Sequence, residues 1–237
     1  MLDLHTHILP EVDDGSSSAH MSVAMLEAEA RQGIPTVVAT PHFYAHRDMP
    51  DDFFARRERG HRLLSDAIGQ RTDLPRVLLG AEVAFYNGMA ESDILPELCL
   101  GGSKYLLLEM PMAPWPLWVY SELLAIHQRQ GIIPVLAHVE RYLLPLQKTL
   151  ALKRLASMPV LLQSNASFFL NKRSSRLAMR LLQQGHIHLL GSDCHDTDSR
   201  PPRLGQAVEA IRSRLGEEAL ERIHKYEEQV FAPAPVK

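Results

Sequence analysis

Histidine is over-represented in this chain, with 12 among 237 residues. Histidine is the commonest metal ligand, so where those residues fall matters. His5 and His7 stand two apart near the start, and Asp193 and His195 repeat that spacing near the end. Between them come Thr40-Pro41-His42, Glu82, Glu109 and His138. Residues two apart in an extended strand project to the same side, so both imidazoles of His5-x-His7 can reach one ion. Glu82 lies in the apolar run Val77-Leu-Leu-Gly-Ala-Glu-Val83, and Glu109 follows Tyr105-Leu-Leu-Leu108. A carboxylate in such a run is costly unless it is paired or holds a metal. A lone His-x-His is more often structural than ligating; six coincidences of this kind are harder to dismiss. Imidazoles and carboxylates without thiolate clusters suit Mn, Fe, Zn or Co better than copper(I) or an iron–sulfur cluster. More than six ligands exceed the needs of one ion, so a cluster of two or three is expected.

The elements that would position these residues follow from hydrophobic patterning. Runs of strand length occur at Met1–His5, Thr36–Thr40, Val77–Val83, Tyr105–Glu109, Ile133–His138, Val160–Asn165 and Ile187–Ser192. They are rich in Val, Ile and Leu and mostly lack alternation, as strands buried on both faces do. Helical stretches lie between them at Ser18–Gln32, Asp52–Ile68, Leu117–Gln130 and Arg173–Gln184; three of these end at Gly33, Gly131 and Gly185. Strand–helix alternation implies parallel strands joined by right-handed crossovers. The expected fold is α/β, a distorted (β/α)7 barrel, with a doubly wound open sheet as the alternative. The Rossmann glycine fingerprint and the phosphate-binding P-loop are both absent. Nearly every expected strand finishes in a His, Asp or Glu. The C-terminal face of the strands is where barrels build active sites, so these residues should meet. Residues 1–231 read as one domain and 232–237 as a flexible tail.

Composition narrows the function classes. A net charge of −3, from 25 basic and 28 acidic residues, argues against a dedicated nucleic-acid binder. No apolar run approaches the ~18 residues of a membrane span, and the first residues lack a signal-peptide pattern. Two cysteines, Cys99 and Cys194, give no disulfide framework and fit a reducing cytoplasm.

The ordered set Leu4-His5-Thr6-His7-Ile8-Leu9-Pro10, Val12-Asp13-Asp14-Gly15, Thr40-Pro41-His42, Gly80-Ala81-Glu82-Val83, Leu107-Leu108-Glu109, His138-Val139-Glu140-Arg141-Tyr142 and Ser192-Asp193-Cys194-His195 resembles the PHP (polymerase and histidinol phosphatase) family. More narrowly it resembles the bacterial capsule and exopolysaccharide tyrosine-phosphatase branch. The resemblance implies a TIM-like barrel of PHP type holding three divalent metals, with manganese foremost. It implies one ion on His5, His7, Glu82 and Asp193. A second would sit on Glu82, as bridge, with Glu109 and His138, and a third on Asp14, His42 and His195. Arg141 and Arg200 match family arginines that meet the phosphate. The implied reaction is hydrolysis of a phosphomonoester by a metal-activated water. The implied substrate is a phosphotyrosine protein, the tail of a bacterial tyrosine kinase, in the cytoplasm. One departure is visible: Val139 stands where the family often has Pro, which touches backbone geometry rather than ligation. Charge balance also favours an anionic substrate, since three divalent ions outweigh the four carboxylates Asp14, Glu82, Glu109 and Asp193. A phenol of pKa about 10 leaves more easily than an alkoxide, so no strong general acid is demanded.

Other chemistries are weighed against this one. A small phosphate of the histidinol-phosphate type is the alternative substrate, while a nuclease role would call for a basic surface. Cys194-His-Asp-Thr-Asp-Ser-Arg200 has the Cys-x5-Arg spacing of cysteine phosphatases, but Asp196 and Asp198 would repel both thiolate and phosphate. Cys194 is expected to be a space-filler whose loss leaves activity intact. An amidohydrolase-like enzyme would use His-x-His and Asp but add a lysine ligand that is not found. A degenerate scaffold would lack ligands, and none is missing. Met110–Trp118 is either a cap on the barrel or a rim that meets the tyrosine ring, with Trp115 as the residue to test. His61, His127 and His224 fall on helices, and His186 and His188 at the far end of a strand. His20, His46 and Asn165 lie nearer the expected site.

Overall fold

The computed structural model describes residues 1–142 and 150–232; most of the expected tail lies outside the described residues. Among the described residues nine strands form in chain order: β1 (Asp3–Thr6), β2 (Thr36–Ala39), β3 (His42–Phe43), β4 (Arg76–Leu79), β5 (Glu82–Ala84), β6 (Tyr105–Glu109), β7 (Ile133–Leu136), β8 (Leu161–Asn165) and β9 (Leu189–Gly191). All their pairings are parallel. One sheet runs β1-β2-β4 and the other β3-β5-β6-β7-β8-β9. The two expected strands at 36–40 and 77–83 are each split. Backbone bonds bridge the splits, Gly80 N–H to Ala39 O (2.9 Å) and Glu82 N–H to Pro41 O (3.1 Å). Counting β2 with β3 and β4 with β5 leaves seven strand paths. The ring joins where β9 runs on beside β1: Asp193 N–H donates to His5 O (2.8 Å) and His7 N–H to Cys194 O (2.9 Å). The result is the expected distorted seven-stranded α/β barrel.

The main helices are α1 (Ala19–Arg31), α2 (Pro50–Ile68), α3 (Leu95–Leu98), α4 (Leu117–Gln130), α5 (Leu150–Leu155), α6 (Ala166–Leu170), α7 (Ser175–Gln183), α8 (Leu204–Leu215) and α9 (Glu217–Phe231). Local chemistry sets their ends. Ser18 caps α1 by accepting from Met21 N–H, Pro50 opens α2 above Asp51 and Asp52, and Gly131 ends α4 in the left-handed conformation.

Strand parity decides what the barrel interior contains. Leu4, Val38, Tyr105, Leu107, Val135, Ala137 and Leu189 form one buried apolar cluster, closed off by Leu100 and Val230. Leu106, Leu108, Leu136, Leu162 and Leu190 belong instead to the larger core shared with the helices. Two residues beyond an interior position the same face recurs. Tyr105 and Leu107 therefore lead to Glu109, Leu189 and Gly191 to Asp193, and Val38 and Thr40 to His42. Each path is apolar at the bottom of the barrel and ionisable at the top.

Candidate metal centre

All nine sequence-predicted ligand positions come together at that upper face. His5 Nε2 lies 3.2 Å from His7 Nε2. Glu82 sits in the middle, its Oε2 3.1 Å from His5, 3.3 Å from His7 and 3.2 Å from His42, and its Oε1 2.8 Å from His138 Nε2. Glu109 Oε1 is 3.7 Å from His138 Nε2. Asp193 Oδ1 is 3.5 Å from His5 and 3.6 Å from His7. Asp14 Oδ1 lies 3.5 Å from both His42 Nε2 and His195 Nε2. Three groups of donor atoms are close enough to surround an ion: His5, His7 and Asp193; His42, Glu82 and Glu109; and His7, Asp14, His42 and His195. Apart from His42, Asp14 and Glu109, these residues are buried.

Hydrogen bonds behind the ligands fix which atoms face inward. Gln163 Oε1 accepts the backbone N–H of His138 (2.7 Å), which can only donate, so it also accepts from His5 Nδ1 (3.3 Å) and leaves His5 Nε2 facing the centre. Asp13 Oδ2 accepts from His7 Nδ1 (2.7 Å) and from His42 N–H (3.0 Å). His195 Nδ1 donates to the carbonyl of Asp193 (3.0 Å). Its Nε2 is buried without a hydrogen-bond partner, as is His42 Nδ1. Two orphaned imidazole nitrogens aimed among carboxylates are what a metal site requires and a solvated or hydrogen-bonded cluster does not. The donor set fits divalent ions.

Several ionisation states agree, while His5 is raised, burial opposing and Glu82 and Asp193 prevailing, and burial beside Glu82 raises Glu109. Burial would raise Glu82, but His5, His138 and His7 outweigh it and hold the carboxyl well below the usual range. Burial likewise opposes Asp193, yet the charges of His5, His7 and Arg200 bring it down to about 2. Burial pushes His42 and His138 down, and His195 down to about 4, keeping those imidazoles neutral. His7 is the reverse: burial lowers it, but Asp13 and Glu82 prevail and push it up to about 10. Ionised carboxylates and neutral imidazoles are the forms that ligate. The proton on His7 occupies a place that a cation would take.

The backbone is strained at two of these residues. His138 (φ 32°) and Asp193 (φ 55°) are both in the left-handed region. Such conformations cluster at functional sites, where the surroundings over-determine them. Gly191 is needed for close approach: a Cβ there would stand 2.6 Å from His5 Cβ and 2.9 Å from Gln163 Nε2. Gly191→Ala is expected to push His5 off its position and lower the metal content of purified protein, measured by elemental analysis.

Sequence reasoning missed Asp13, Gln163 and Tyr142 as supports. The signal for Gln163 was a lone amide inside an apolar strand, Val160-Leu-Leu-Gln163. Tyr142 receives Met110 N–H (2.9 Å) and meets His138 Nδ1 (3.1 Å). Arg141 and Arg200 both reach the site edge, each binding Asp193 (2.9 and 2.7 Å). Asn165 Nδ2 donates to the same carboxylate (2.7 Å).

Two side readings are settled by burial. Cys194 is wholly buried, and that burial, with Asp3 and Glu29 nearby, pushes its thiol well up. A cysteine nucleophile needs the opposite; Cys194→Ser is expected to keep its activity. Trp115 is a cap rather than a rim: it is buried, donates Nε1–H to Pro111 O (2.9 Å) and packs on Tyr142. The exposed large hydrophobic residues of that segment are Met112, Leu117 and Trp118. Trp115→Ala should therefore cost about 3–5 kcal/mol in stability, read as denaturant midpoint. The substrate test passes to Trp118→Ala, which should raise KM for a phosphopeptide more than for a small aryl phosphate. His188 is structural: its Nδ1 accepts Leu162 N–H (2.9 Å) and it packs on Tyr226.

Known proteins resemble the chain along most of its length. The tyrosine-protein phosphatase YwqE of Bacillus subtilis is 32% identical over 225 residues, spanning 92% of this chain and 86% of its own. The tyrosine-protein phosphatase CpsB of Streptococcus pneumoniae is 30% identical over 231 residues, spanning 91% of each. A crystal structure from a study of YwqE from B. subtilis and CpsB from S. pneumoniae, described as unique metal-dependent tyrosine phosphatases, superposes with a TM-score of 0.81 at 28% identity, covering the whole of both chains. An L-hydantoinase from Arthrobacter aurescens shares the fold alone, with a TM-score of 0.52 at 14% identity over this whole chain and 71% of its own. The model of the capsular polysaccharide synthesis family CpsB/CapC matches residues 1–230, and the chain belongs to that family.

Proposed function

We propose that the protein is a metal-dependent protein-tyrosine phosphatase. The observation that carries the reading is the convergence of four imidazoles and four carboxylates in three overlapping donor groups, with His138 against Glu82 beside them and Arg141 and Arg200 at the rim. The names of its relatives support tyrosine phosphate over histidinol phosphate as the substrate. We assign His5, His7, Asp14, His42, Glu82, Glu109, His138, Asp193 and His195 as metal ligands, for up to three ions. Manganese is the first choice among Mn, Fe, Zn and Co. Divalent ions held there supply Lewis acidity and bring the pKa of bound water from 15.7 toward about 7.

The chain's own groups do the rest. Asp13, Gln163 and Tyr142 hold the imidazoles in place before substrate arrives, so little reorganisation is left for the reaction. Arg141 and Arg200 are both paired with Asp193. Both are more than a third exposed and so are free to turn toward phosphate oxygens, where a guanidinium fork binds two at once. As the ester bond breaks, charge moves onto the phenolic oxygen and the equatorial oxygens, and two guanidiniums turned toward the phosphate would offset it. The natural substrate we infer is the phosphorylated tail of a bacterial tyrosine kinase in the cytoplasm. No described helix is long and apolar enough to cross a membrane.

The test is hydrolysis of p-nitrophenyl phosphate and a phosphotyrosine peptide before and after chelation, with metal content measured in parallel. Activity should vanish with the metal and return with manganese. Full activity in metal-free protein would end the reading.

A further inference from the structure

A cavity of about 150 Å³ opens beside the metal centre, lined by Arg141, Asn165, Asp193, Arg200 and Arg203 together with small polar side chains. None of the five ligand histidines lines it. Asp193 forms the wall between the two spaces, with Oδ1 toward His5 and His7 and Oδ2 held by Asn165 and Arg141. Three arginines and one carboxylate thus line the cavity, and that carboxylate is already bound by Arg141 and Arg200. Arg203 has no carboxylate partner among the described residues, and it is exposed where it precedes α8. A basic recess with one guanidinium uncommitted is an anion site whose ligand comes from outside the chain.

We infer that this cavity receives a second anionic group, carried on the peptide close to the phosphotyrosine, and that Arg203 sets the preference for it. The inference rests on the phosphatase reading and names a substrate class for it. The cavity shares Asp193, Arg141 and Arg200 with the metal centre, so a group inside it lies a side chain's length from a phosphate on the metals. Consecutive residues of an extended peptide advance about 3.3–3.6 Å, which brings a near neighbour of the phosphotyrosine within reach. A carboxylate and a phosphate monoester both offer the paired oxygens that a guanidinium fork accepts. Uncharged or basic neighbours would leave Arg203 unpaired or repelled.

The experiment compares kcat/KM on p-nitrophenyl phosphate and three phosphotyrosine peptides, whose flanks are neutral, glutamate-bearing or phosphorylated a second time. The manganese-loaded wild type is expected to favour an anionic flank by about 10-fold, the worth of one charge-assisted hydrogen bond. Arg203→Gln should erase that preference while leaving the neutral peptide and p-nitrophenyl phosphate unchanged. Preference for the doubly phosphorylated peptide alone identifies phosphate as the second group, and preference for both identifies any anion. Equal rates on all three peptides, or a preference that survives Arg203→Gln, overturn the inference while the phosphatase reading stands. Failure to hydrolyse even p-nitrophenyl phosphate overturns both.

Discussion

Glu82→Gln is expected to lower kcat/KM by about 10³-fold or more, with the fold intact. Glu82 is a buried carboxylate surrounded by the rings of His5, His7, His42 and His138, all within 3.3 Å. It is the one carboxylate at the site within 3.3 Å of four candidate histidine ligands. Glutamine keeps the shape, so packing of β5 is preserved, but it removes the negative charge that two neighbouring ions would share. Its N–H₂ group would also donate to imidazole lone pairs that a cation would otherwise take. Metal stoichiometry should fall along with activity, and circular dichroism should not change. A Glu82→Gln protein that kept its full metal complement and hydrolysed p-nitrophenyl phosphate within about tenfold of wild type would remove Glu82 from the bridging position.

Much of this was legible in the sequence because parallel barrels write their active face as strand ends. Glu109 and Asp193 could be placed at the top of β6 and β9 from apolar runs that stop at an acid. Leu117–Gln130 was recovered with its bounds, since Gly131 marks its end. What failed has physical causes. The runs at 36–40 and 77–83 read as continuous, yet the ladder breaks near Pro41, which has no N–H to give. The final helix α9 was anticipated only around His224 and without bounds, because its buried stripe, Ala219, Leu220, Ile223, Glu227 and Val230, includes an acid. Glu227 is buried there to accept Leu2 N–H (3.0 Å) and face the N-terminal amine (3.9 Å), a long-range contact that no local pattern announces. Trp115 and Trp118 look alike in sequence, and only the packing of Trp115 on Tyr142 separates cap from rim. The strained backbone at His138 and Asp193 has no sequence signature, since neither residue is a glycine.

Asp13 is the clearest case of a functional residue that sequence could flag but not place, and its loss should have the second-largest effect. Asp13 and Asp14 are adjacent, and either could be read as the ligand. Asp14 is exposed and points at His42 and His195, whereas Asp13 is buried behind His7 and His42. Asp13→Ala removes the acceptor for His7 Nδ1–H, for His42 N–H and, through Oδ1, for Gly15 N–H (3.0 Å). Each buried donor left unpaired costs about 1–3 kcal/mol. Losing a carboxylate behind a ligating histidine typically costs 10–100-fold in metal affinity or activity. The expected result is therefore about 10–100-fold weaker manganese activation, with kcat largely recovered at high manganese. Such recovery separates Asp13 from the ligands, whose loss excess metal cannot repair. Proton release gives a second readout. In metal-free protein His7 is pushed up to about 10, burial opposing and Asp13 prevailing, so at neutral pH it holds a proton that an incoming ion must expel. Metal affinity should thus rise with pH below that value. Without Asp13 the proton is held less firmly, and calorimetry in buffers of different ionisation enthalpy should record fewer protons released per ion. Unchanged affinity and unchanged proton release in Asp13→Ala would show that His7 is oriented by something other than this carboxylate.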